Sequence, residues 1–331
     1  MSQSVKRNTD ADSQDFQECW GGSKTSLSIA SVTLAYNAAR ILPRQMDALL
    51  RQSRPIDEII VVDSGSTDGT GDLLAERYPE LTVLRLSENL GAAGAWAAGL
   101  SYAAITKKHD WVWTFDDDSV PEIHSLETLL DSVATFRDRD TQVGIIAPLC
   151  VHQQTGTCYP PLLWRDGYIK PSEDLLRQPV CFADLTFTSG SMVRRDVVNK
   201  IGLPRADFFM DFVDFEYCLR ARSHNYQIAI ITQTKLAHTI GNARQVRLFG
   251  RSHLWTDHAP WREYYVSRNL VYAAWWLYPS LRTKQFVIGW VARHAGAVLL
   301  FGSNKLACLR KVAQGFWDGR RANLGVRFRP S

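Results

Sequence analysis

The sequence predicts an α/β fold: a doubly wound, mixed but mainly parallel sheet flanked by helices, followed by an aromatic and basic helical extension. Short apolar strands alternate with helical segments at a spacing of roughly 25–30 residues, which is typical of such sheets. The strand "DEIIVV" is continuously apolar, as expected when both faces of a sheet are covered. From Ser280 onward there are ten Lys and Arg residues against one acid, although the net charge of the whole chain is only +4.

Four strand–helix units predict the first half of the sheet. The strands are "LSIASVTLAY", "DEIIVV", "LTVLRL" and "DWVWTF", and apolar residues recur at helical spacing after each of them. The helix after the fourth strand is predicted to have Pro121 in its first turn, where proline is favoured. The second half predicts a strand at "VGIIAPLC", an irregular stretch over 152–180 and a strand–turn–helix at "FTSGSMVRRDVVNKIG". A helix from about Asp211, the strand "QIAIITQTKLAH" and a mostly helical segment 261–302 complete it.

These elements suggest three parts of the chain. Residues 1–26 are expected to form a flexible N-terminal tail, and 270–331 the C-terminal helical, basic extension. Between them, residues 27–269 are expected to form one domain with two halves, 27–121 and 122–269.

Composition excludes several classes of protein. Residues 1–26 have no apolar stretch of the kind found in secretory signals. The six cysteines show no paired C-x-x-C spacing, which argues against a zinc site or a disulfide framework and fits a reducing cytoplasm. The most apolar segment, "FVIGWVARHAGAVLLFG", contains Arg293 and His294 near its centre, so we do not expect it to span a membrane.

Polar residues follow the first four predicted strands. Ligands bind beyond the carboxyl ends of strands in sheets of this class, so these residues are expected to surround one crevice. They are Asn37, Asp63, Asn89 and the cluster Asp116–Asp118.

The three adjacent carboxylates in "FDDDSVP" require compensation, because like charges repel and their burial is costly. Residues i and i+2 of an extended chain point the same way, so Asp116 and Asp118 are able to bind one divalent cation through oxygen ligands. The alternative is a solvated turn that caps the next helix. One aspartate would suffice for a cap, and three favour the metal.

Two further loops suggest nucleotide contacts. Asp63 in "VVDSGSTDGT" is able to accept hydrogen bonds from a base or ribose, whereas Asp68 is better explained as a helix cap. The segment "ENLGAAGAWAAG" is able to bring N–H groups at the start of a helix near a diphosphate. It lacks the G-x-G-x-x-G and G-x-x-x-x-G-K-[ST] spacings, which argues against dinucleotide-binding and P-loop sites.

In "FFMDFVDFEYCLRA", Asp211 and Asp214 are three residues apart and are expected to share one face of a helix. Asp214 lies beside the apolar stripe, where partial burial would raise its pKa and make it a usable base. Glu216 precedes Arg220 by four residues and is explained equally well by a surface ion pair.

Other candidates have open interpretations. His238 ends a strand, and a lone histidine is more often structural than a ligand. Arg262 and Arg268 in "APWREYYVSRN" are able to bind phosphate or to anchor a packed aromatic helix, and His258 and Tyr265 lie beside them.

Taken together, these segments resemble the family-two glycosyltransferases of the GT-A fold over residues ~27–270. The resemblance is carried in order by "TLAYN", "IDEIIVVDSGSTDGT", "ENLGAAGAWAAG", "FDDDSVP", "FTSGSMVRRDVVNKIG", "FFMDFVDFEYCLRA", "HTIG" and "RLFGRSHLWTDHAPWREYYVSRN". The later segments are most similar to bacterial O-antigen rhamnosyltransferases. "NLGAAGAWAAG" and "DWVWTFDDD" also resemble galactofuranosyltransferases.

The resemblance implies an inverting transfer of a sugar from a nucleotide, with Asp63 at the pyrimidine and Asp116 near the ribose and sugar. It implies that Asp118, with Asp116, binds Mg²⁺ or Mn²⁺, and that His238 contributes a further metal or phosphate contact. Asp214 matches the family's general base, and Asp211 supplies charge because the acid that usually precedes the base is Val213 here.

The remaining candidates fall into two groups. The nucleotide-binding candidates also include Tyr36, Asn37, Asn89, Gly91 and Asp117. The substrate or phosphate candidates are Trp113, Ser189, Gly190, His258, Arg262, Tyr265 and Arg268. A departure from the family pattern is Trp96, where relatives often have Asn.

The resemblance further implies a role in cell-surface polysaccharide assembly, with a lipid-linked acceptor and no nucleic-acid partner. dTDP-rhamnose is the first expectation for the donor and UDP-galactofuranose the second. The aromatic and basic extension suggests a cytoplasmic protein at the inner face of the membrane, unless its aromatic residues complete the core or a dimer contact. A non-catalytic nucleotide- or glycan-binding subunit and a phosphoryl or nucleotidyl transferase remain alternatives from other classes.

Overall fold

The computed structural model describes residues 27–137, 142–153, 155–165, 168–238, 243–248 and 251–330. The predicted tail, residues 1–26, lies outside the described residues, as does most of "HTIG". The strands are β1 (Ile29–Ala35), β2 (Glu58–Asp63), β3 (Thr82–Arg85), β4 (Trp111–Asp116), β5 (Val120–Pro121), β6 (Val143–His152), β7 (Leu162–Arg165), β8 (Tyr168–Pro171), β9 (Val180–Ala183), β10 (Met192–Arg194), β11 (Gln227–His238), β12 (Ala243–Leu248) and β13 (Arg251–Thr256).

The α-helices of the described residues follow the same alternation. They are α1 (Leu42–Leu50), α2 (Thr70–Arg77), α3 (Gly91–Leu100), α4 (Ser125–Arg137), α5 (Arg195–Ile201), α6 (Val213–Ser223), α7 (Pro260–Tyr272), α8 (Leu281–Phe301) and α9 (Lys305–Arg320). Helices α3 and α7 each continue into a short π-helical turn.

Within the described ranges, the main sheet has nine strands, in the order β3-β2-β1-β4-β10-β6-β11-β5, with β9 paired to β11. The longer pairings, β1 with β2 and β4, and β6 with β11, are parallel. The short strands β5, β9 and β10 pair antiparallel. The predicted mixed, mainly parallel sheet is therefore confirmed.

Alternate residues of each strand face opposite layers of helices. Val32 of β1 and Val62 of β2 pack with α3, α5 and α6, whereas Val61 and Trp113 pack with α1, α2 and α4. Both faces of the sheet are thus covered by helices, which explains why the central strands are continuously apolar.

Three local expectations were wrong. Pro121 lies in the edge strand β5 opposite Leu236, and the helix begins only at Ser125; an edge strand tolerates proline because it need not donate on its free side. The stretch 152–180 contains the hairpin β7–β8. Helix α6 begins at Val213 and not near Asp211.

The C-terminal helices pack on the sheet domain through α7, which runs across the predicted boundary at residues 269 and 270. Helix α9 lies close against α7 because Gly315 and Gly319 have no side chains. A Cβ at Gly315 would lie 2.3 Å from the carbonyl oxygen of Tyr264, and one at Gly319 would lie 2.4 Å from that of Arg268. Among the described residues, no helix has the length and apolar character required to cross a membrane.

Candidate functional site

A cavity of about 640 Å³ opens at the carboxyl ends of β1, β2 and β4. The parallel strands bring their following loops to this edge, as the sequence predicted. The start of α6 and the N-terminal turn of α7 form its other wall. Ten of the predicted site residues line it: Tyr36, Asn89, Gly91, Asp116, Asp117, Asp118, Asp211, Asp214, His238 and Arg262.

The carboxylates after β4 form one network with His238. Its Nδ1 lies 2.8 Å from the Ser119 hydroxyl and 3.0 Å from Asp118 Oδ1, while its Nε2 lies 3.8 Å from Asp116 Oδ2. Ser119 also contacts the Ser189 hydroxyl at 2.6 Å, and that hydroxyl accepts from the Asp116 backbone N–H. The fold therefore brings His238, at the end of β11, next to the aspartates at the end of β4, all of which were predicted as site residues.

The carboxylates and His238 in this network shift one another's pKa values. Desolvation by the surrounding protein raises the pKa of the Asp116 carboxyl, which lines the cavity; the charge of His238 opposes this rise and that of Asp118 adds to it. Burial, together with the charges of Asp116 and Asp118, raises the pKa of Asp117 to about 7. Burial opposes protonation of His238, but its hydrogen bond with Asp118 and the charge of Asp116 raise its pKa overall.

The chemistry of this donor set fits a divalent cation. Hard carboxylate oxygens are the ligands that Mg²⁺ and Mn²⁺ prefer, and a cation would offset the repulsion among Asp116, Asp117 and Asp118. In the part of the chain that the structure describes, no three His, Cys, Asp or Glu side chains already surround one point as a metal site.

Across the cavity from these carboxylates, Arg262 of α7 binds Asp211 through two of its guanidinium nitrogens. The distances are 2.9 Å from Nη2 to Oδ1 and 3.1 Å from Nε to Oδ2. Asp214 lies in the first turn of α6. Burial raises the pKa of the Asp214 carboxyl to about 7, and the charges of Asp211 and Asp116 act in the same direction. Its carboxylate is therefore available as a base near neutral pH.

Asp211 and Asp214 do not share a helical face, contrary to the sequence prediction. Phe209, Asp211 and Phe212 have positive φ angles of 63°, 60° and 65°. Residues with a Cβ adopt such positive φ angles at a cost of roughly 1–3 kcal/mol each. The 207–212 segment (Asp207–Phe212) thus brings the two carboxylates to the cavity through strain and not through helical spacing.

Gly91 allows this segment to approach α3. Its φ is +70°, and a Cβ there would lie 2.1 Å from the carbonyl oxygen of Phe209. That same oxygen accepts a hydrogen bond from the Ala93 N–H at 3.0 Å. The glycine predicted as a diphosphate contact therefore also permits close packing of the backbone.

Several predicted residues support the site without lining the cavity. Asn37 Oδ1 accepts from the Thr67 N–H, and Asp63 Oδ1 from the Ser66 N–H. The Trp113 indole donates to the carbonyl of Gly190 at 2.8 Å. These contacts fix the loops from behind. The other predicted residues outside the cavity lining are Ser189, His258, Tyr265 and Arg268.

Arg268 is fully buried, and its guanidinium donates to the backbone carbonyls of Asp207, Phe208 and Gly325. A guanidinium used in this way has no free face for a phosphate. The structure corrects the predicted phosphate role to one in the scaffold, because packing of α7 turns this side chain away from the cavity.

The cavity also contains residues that the sequence did not single out as site candidates. Trp96 lines it, and its indole N–H has no hydrogen-bond partner among the described residues. Phe187 and Thr188 begin "FTSGSMVRRDVVNKIG" and Trp261 lies in "APWREYYVSRN", so these two family-like segments could have indicated them as site residues. Pro330 gave none, because only the tertiary structure brings it here.

Comparison with known proteins identifies the class of enzyme. The family model described as "Glycosyl transferase family 2" matches residues 31–202, just over half of the chain. The chain belongs to glycosyl transferase family 2. It is therefore a glycosyltransferase, and the family resemblance predicted from the sequence is confirmed.

Among the relatives of this glycosyltransferase is the dTDP-rhamnosyl transferase RfbF of Shigella flexneri, 24% identical over 301 residues. That alignment covers 90% of this chain and 97% of RfbF. The galactofuranosyltransferase GlfT1 of Mycobacterium tuberculosis (strain ATCC 25618 / H37Rv) is 25% identical over 317 residues, with coverage of 90% and 97%.

Solved structures support the same fold. The glycosyltransferase is similar to GalNAc-T7, solved with UDP, GalNAc and Mn²⁺, at a TM-score of 0.59 and 14% identity, over 90% of this chain and 57% of that chain. It is also similar to S. aureus TarS 1-349 with UDP-GlcNAc, at a TM-score of 0.51 and 15% identity, over 90% and 91%. At these identities the likeness shows the GT-A fold.

Proposed function

We propose that this glycosyltransferase is an inverting, metal-dependent enzyme that transfers a sugar from a nucleotide donor to a lipid-linked glycan in cell-surface polysaccharide biosynthesis. One observation carries the proposal: the carboxylates after β4 and the Asp214 carboxyl, with its pKa raised to about 7, line one cavity. The first is suited to a cation beside a diphosphate, and the second to a base beside an acceptor hydroxyl.

In this scheme Asp214 takes the proton of the acceptor hydroxyl as the oxygen attacks the anomeric carbon from the face opposite the leaving diphosphate. One displacement inverts the centre, so no nucleophilic carboxylate is needed. Asp116 and Asp118, with His238 beside them, would hold Mg²⁺ or Mn²⁺, which would supply positive charge to the diphosphate. Arg262 holds Asp211 and adds a fixed positive charge to the wall.

For the donor, dTDP-rhamnose is the first candidate and UDP-galactofuranose the second. RfbF supports the former and GlfT1 the latter, each with about 90% of this chain aligned. The nucleotide is expected beside Tyr36 and Asn89, which line the cavity, with Asp63 holding the Ser66 N–H behind them.

The acceptor side is expected at a membrane surface. Helix α8 has an exposed apolar stripe, in which Leu281, Ile288 and Leu299 keep 73%, 49% and 52% of their surface open. These positions lie on one line of the helix because they are separated by seven and eleven residues. Arg282 and Arg293 are exposed on the same helix, which suits an anionic cytoplasmic leaflet.

The test is turnover of purified protein with a panel of nucleotide sugars and a lipid-linked acceptor, with Mn²⁺, Mg²⁺ or EDTA. We expect transfer from dTDP-rhamnose that stops with EDTA and in Asp214→Asn. Nucleotide binding without turnover for any sugar would indicate a binding subunit. Release of pyrophosphate or of a nucleoside monophosphate would indicate chemistry at phosphorus. Either result would overturn the proposal.

A further inference from the structure

Two buried polar side chains of α7, Arg268 and Asn269, have no place in the chemistry just proposed. Both are fully buried, and neither lines the cavity. Burying so many hydrogen-bond donors is costly unless each finds an acceptor. The acceptors they find therefore indicate what these residues do.

Asn269 is aimed at the 207–212 segment. Its Nδ2 lies 3.1 Å from the carbonyl oxygen of Phe208, 2.6 Å from that of Met210 and 2.9 Å from that of Asp211. An amide has only two N–H groups, so at least one of them is shared between carbonyls. Its Oδ1 accepts from Arg268 Nε at 2.9 Å, which fixes the orientation of the amide.

Arg268 holds the preceding residues of the same segment. Its Nη2 donates to the carbonyls of Asp207 and Phe208, at 3.1 and 2.8 Å. Its Nη1 donates to Gly325, whose own N–H bonds the Asp207 carbonyl. The guanidinium lies over the ring of Tyr265, 4.7 Å from its centre, so aromatic packing keeps it in place.

Together these two side chains bind four carbonyls of the segment, those of Asp207, Phe208, Met210 and Asp211. These bonds compensate for the strain of the positive φ angles at Phe209, Asp211 and Phe212, which isolated residues of these types would not keep. That conformation places Asp211 against Arg262 and starts α6 at Val213, one residue before Asp214.

We propose that Arg268 and Asn269 are positioning residues that hold the positive φ angles of the 207–212 segment and thereby present Asp211 and Asp214 to the cavity. The effect on turnover rests on the proposed function. The effect on the conformation of the segment does not, and it is measured separately.

The sharpest variant is Asn269→Asp. It keeps the shape of the side chain and an acceptor for Arg268, but it replaces the donors that face three carbonyls with an oxygen. The matched control is Ser267→Ala on the same helix. Ser267 is equally buried and bonds the Val312 carbonyl of α9, away from the segment.

Hydrogen–deuterium exchange of the full chain, followed by mass spectrometry of peptides covering residues 207–214, is the first measurement. We expect exchange in Asn269→Asp to rise about tenfold or more over wild type, and Ser267→Ala to leave this region unchanged. Equal exchange in wild type and Asn269→Asp, or an equal rise in the control, would overturn the proposal. Should Asn269→Asp fail to fold, Asn269→Ser retains one donor and is expected to give an intermediate rise.

Turnover is the second measurement. For Asn269→Asp we expect kcat to fall about ten- to a hundredfold, with the donor KM within about twofold, because misplacing a base affects the transition state more than donor binding. Wild-type kcat in a variant with faster exchange would overturn the positioning role. If exchange rises in Asn269→Asp but the wild type transfers no sugar, the proposed function is wrong and the proposal about the segment still holds.

Discussion

Asp214 shows how the surroundings of one residue decide its chemistry. A free aspartate is charged at neutral pH and is a poor base, whereas burial raises the pKa of this carboxyl to about 7. Below that pH the group is protonated and is unable to accept a proton. The proposed base is therefore matched to neutral conditions by its place at the start of α6.

This makes the pH dependence of turnover predictable. kcat is expected to rise with pH through about 7 and then level, because the deprotonated fraction of Asp214 rises over that range. Asp214→Asn should lower kcat by roughly 10²–10⁴ while donor affinity, measured by calorimetry, stays unchanged. The control is Asp47→Asn, a carboxylate of α1 that pairs with Arg77 and does not line the cavity.

The stability of the same variant provides a check on its folding. A carboxyl with a raised pKa keeps its proton in the folded state while the unfolded chain has lost it, so stability falls as pH rises from about 4 to about 7. Asp214→Asn removes that penalty and should melt at a higher temperature than wild type at pH 8. A lower Tm at pH 8 would argue against the raised pKa.

At Asp118, the prediction concerns metal. Mn²⁺ should raise the Tm of the wild type, because a ligand that binds only the folded state stabilises it. Asp118→Ala should lose both that shift and transfer activity. Glu127→Ala, which removes an exposed acid outside the cavity, should retain both. An unchanged Mn²⁺ shift in Asp118→Ala would remove that residue from the metal site.

At the scale of the elements, strand ends and helix starts make the site. Strands β1, β2 and β4 run parallel, so their loops meet at one edge regardless of their separation in sequence. Helix α8 leaves Leu281, Ile288 and Leu299 exposed, and the proposal assigns this stripe to a membrane surface.

The stripe of α8 is tested by the triple change of Leu281, Ile288 and Leu299 to Gln. Binding to vesicles that contain phosphatidylglycerol is expected to weaken by about tenfold or more, since each side chain loses apolar area that the lipid would cover. Ile105→Gln with Ile123→Gln, two exposed isoleucines elsewhere, should bind as wild type does. Unchanged co-sedimentation of the triple variant would remove the stripe as a membrane contact.

At the scale of the whole molecule, residues 324–330 join the C-terminal helices to the first half of the sheet. Arg329 donates to the carbonyl of Asn89 at 3.1 Å and to Glu88 Oε2 at 2.6 Å, and Pro330 lines the cavity. The amides of Arg327 and Phe328 both donate to the Tyr265 hydroxyl of α7. This segment thus connects α7 with the loop that precedes α3.

Arg329→Ala should raise the donor KM several-fold with little change in Tm, because an exposed ion pair contributes little stability but here holds the loop of Asn89. Arg327→Ala is the matched control. Arg327 lies in the same segment, and this change breaks its ion pair with Asp318 of α9, away from the cavity. An equal effect of both variants on donor KM would argue for a general role of the segment and against a specific one of Arg329.

Much of the molecule could be predicted from local patterns. The apolar strands of the first half were placed to within a few residues, and the polar residues at their ends were expected to meet because parallel strands align their carboxyl ends. Pro121 was misplaced, because its partner Leu236 lies more than a hundred residues away in sequence, and only that pairing makes β5 a strand. Asp211 was misplaced because helical periodicity carries no information about left-handed residues.

The sequence by itself determined the class of fold, the family and the edge of the sheet where the carboxylates gather, since these follow from periodicity and from residues adjacent in the chain. The tertiary structure alone decided that Arg268 supports the backbone of the site, that Asp211 pairs with Arg262 and that Pro330 reaches the cavity. The physical reason is that the contacts of Arg268, of Asp211 and of Arg329, which precedes Pro330, join residues between 51 and 240 positions apart. Such contacts depend on how buried side chains pack, which no local pattern encodes.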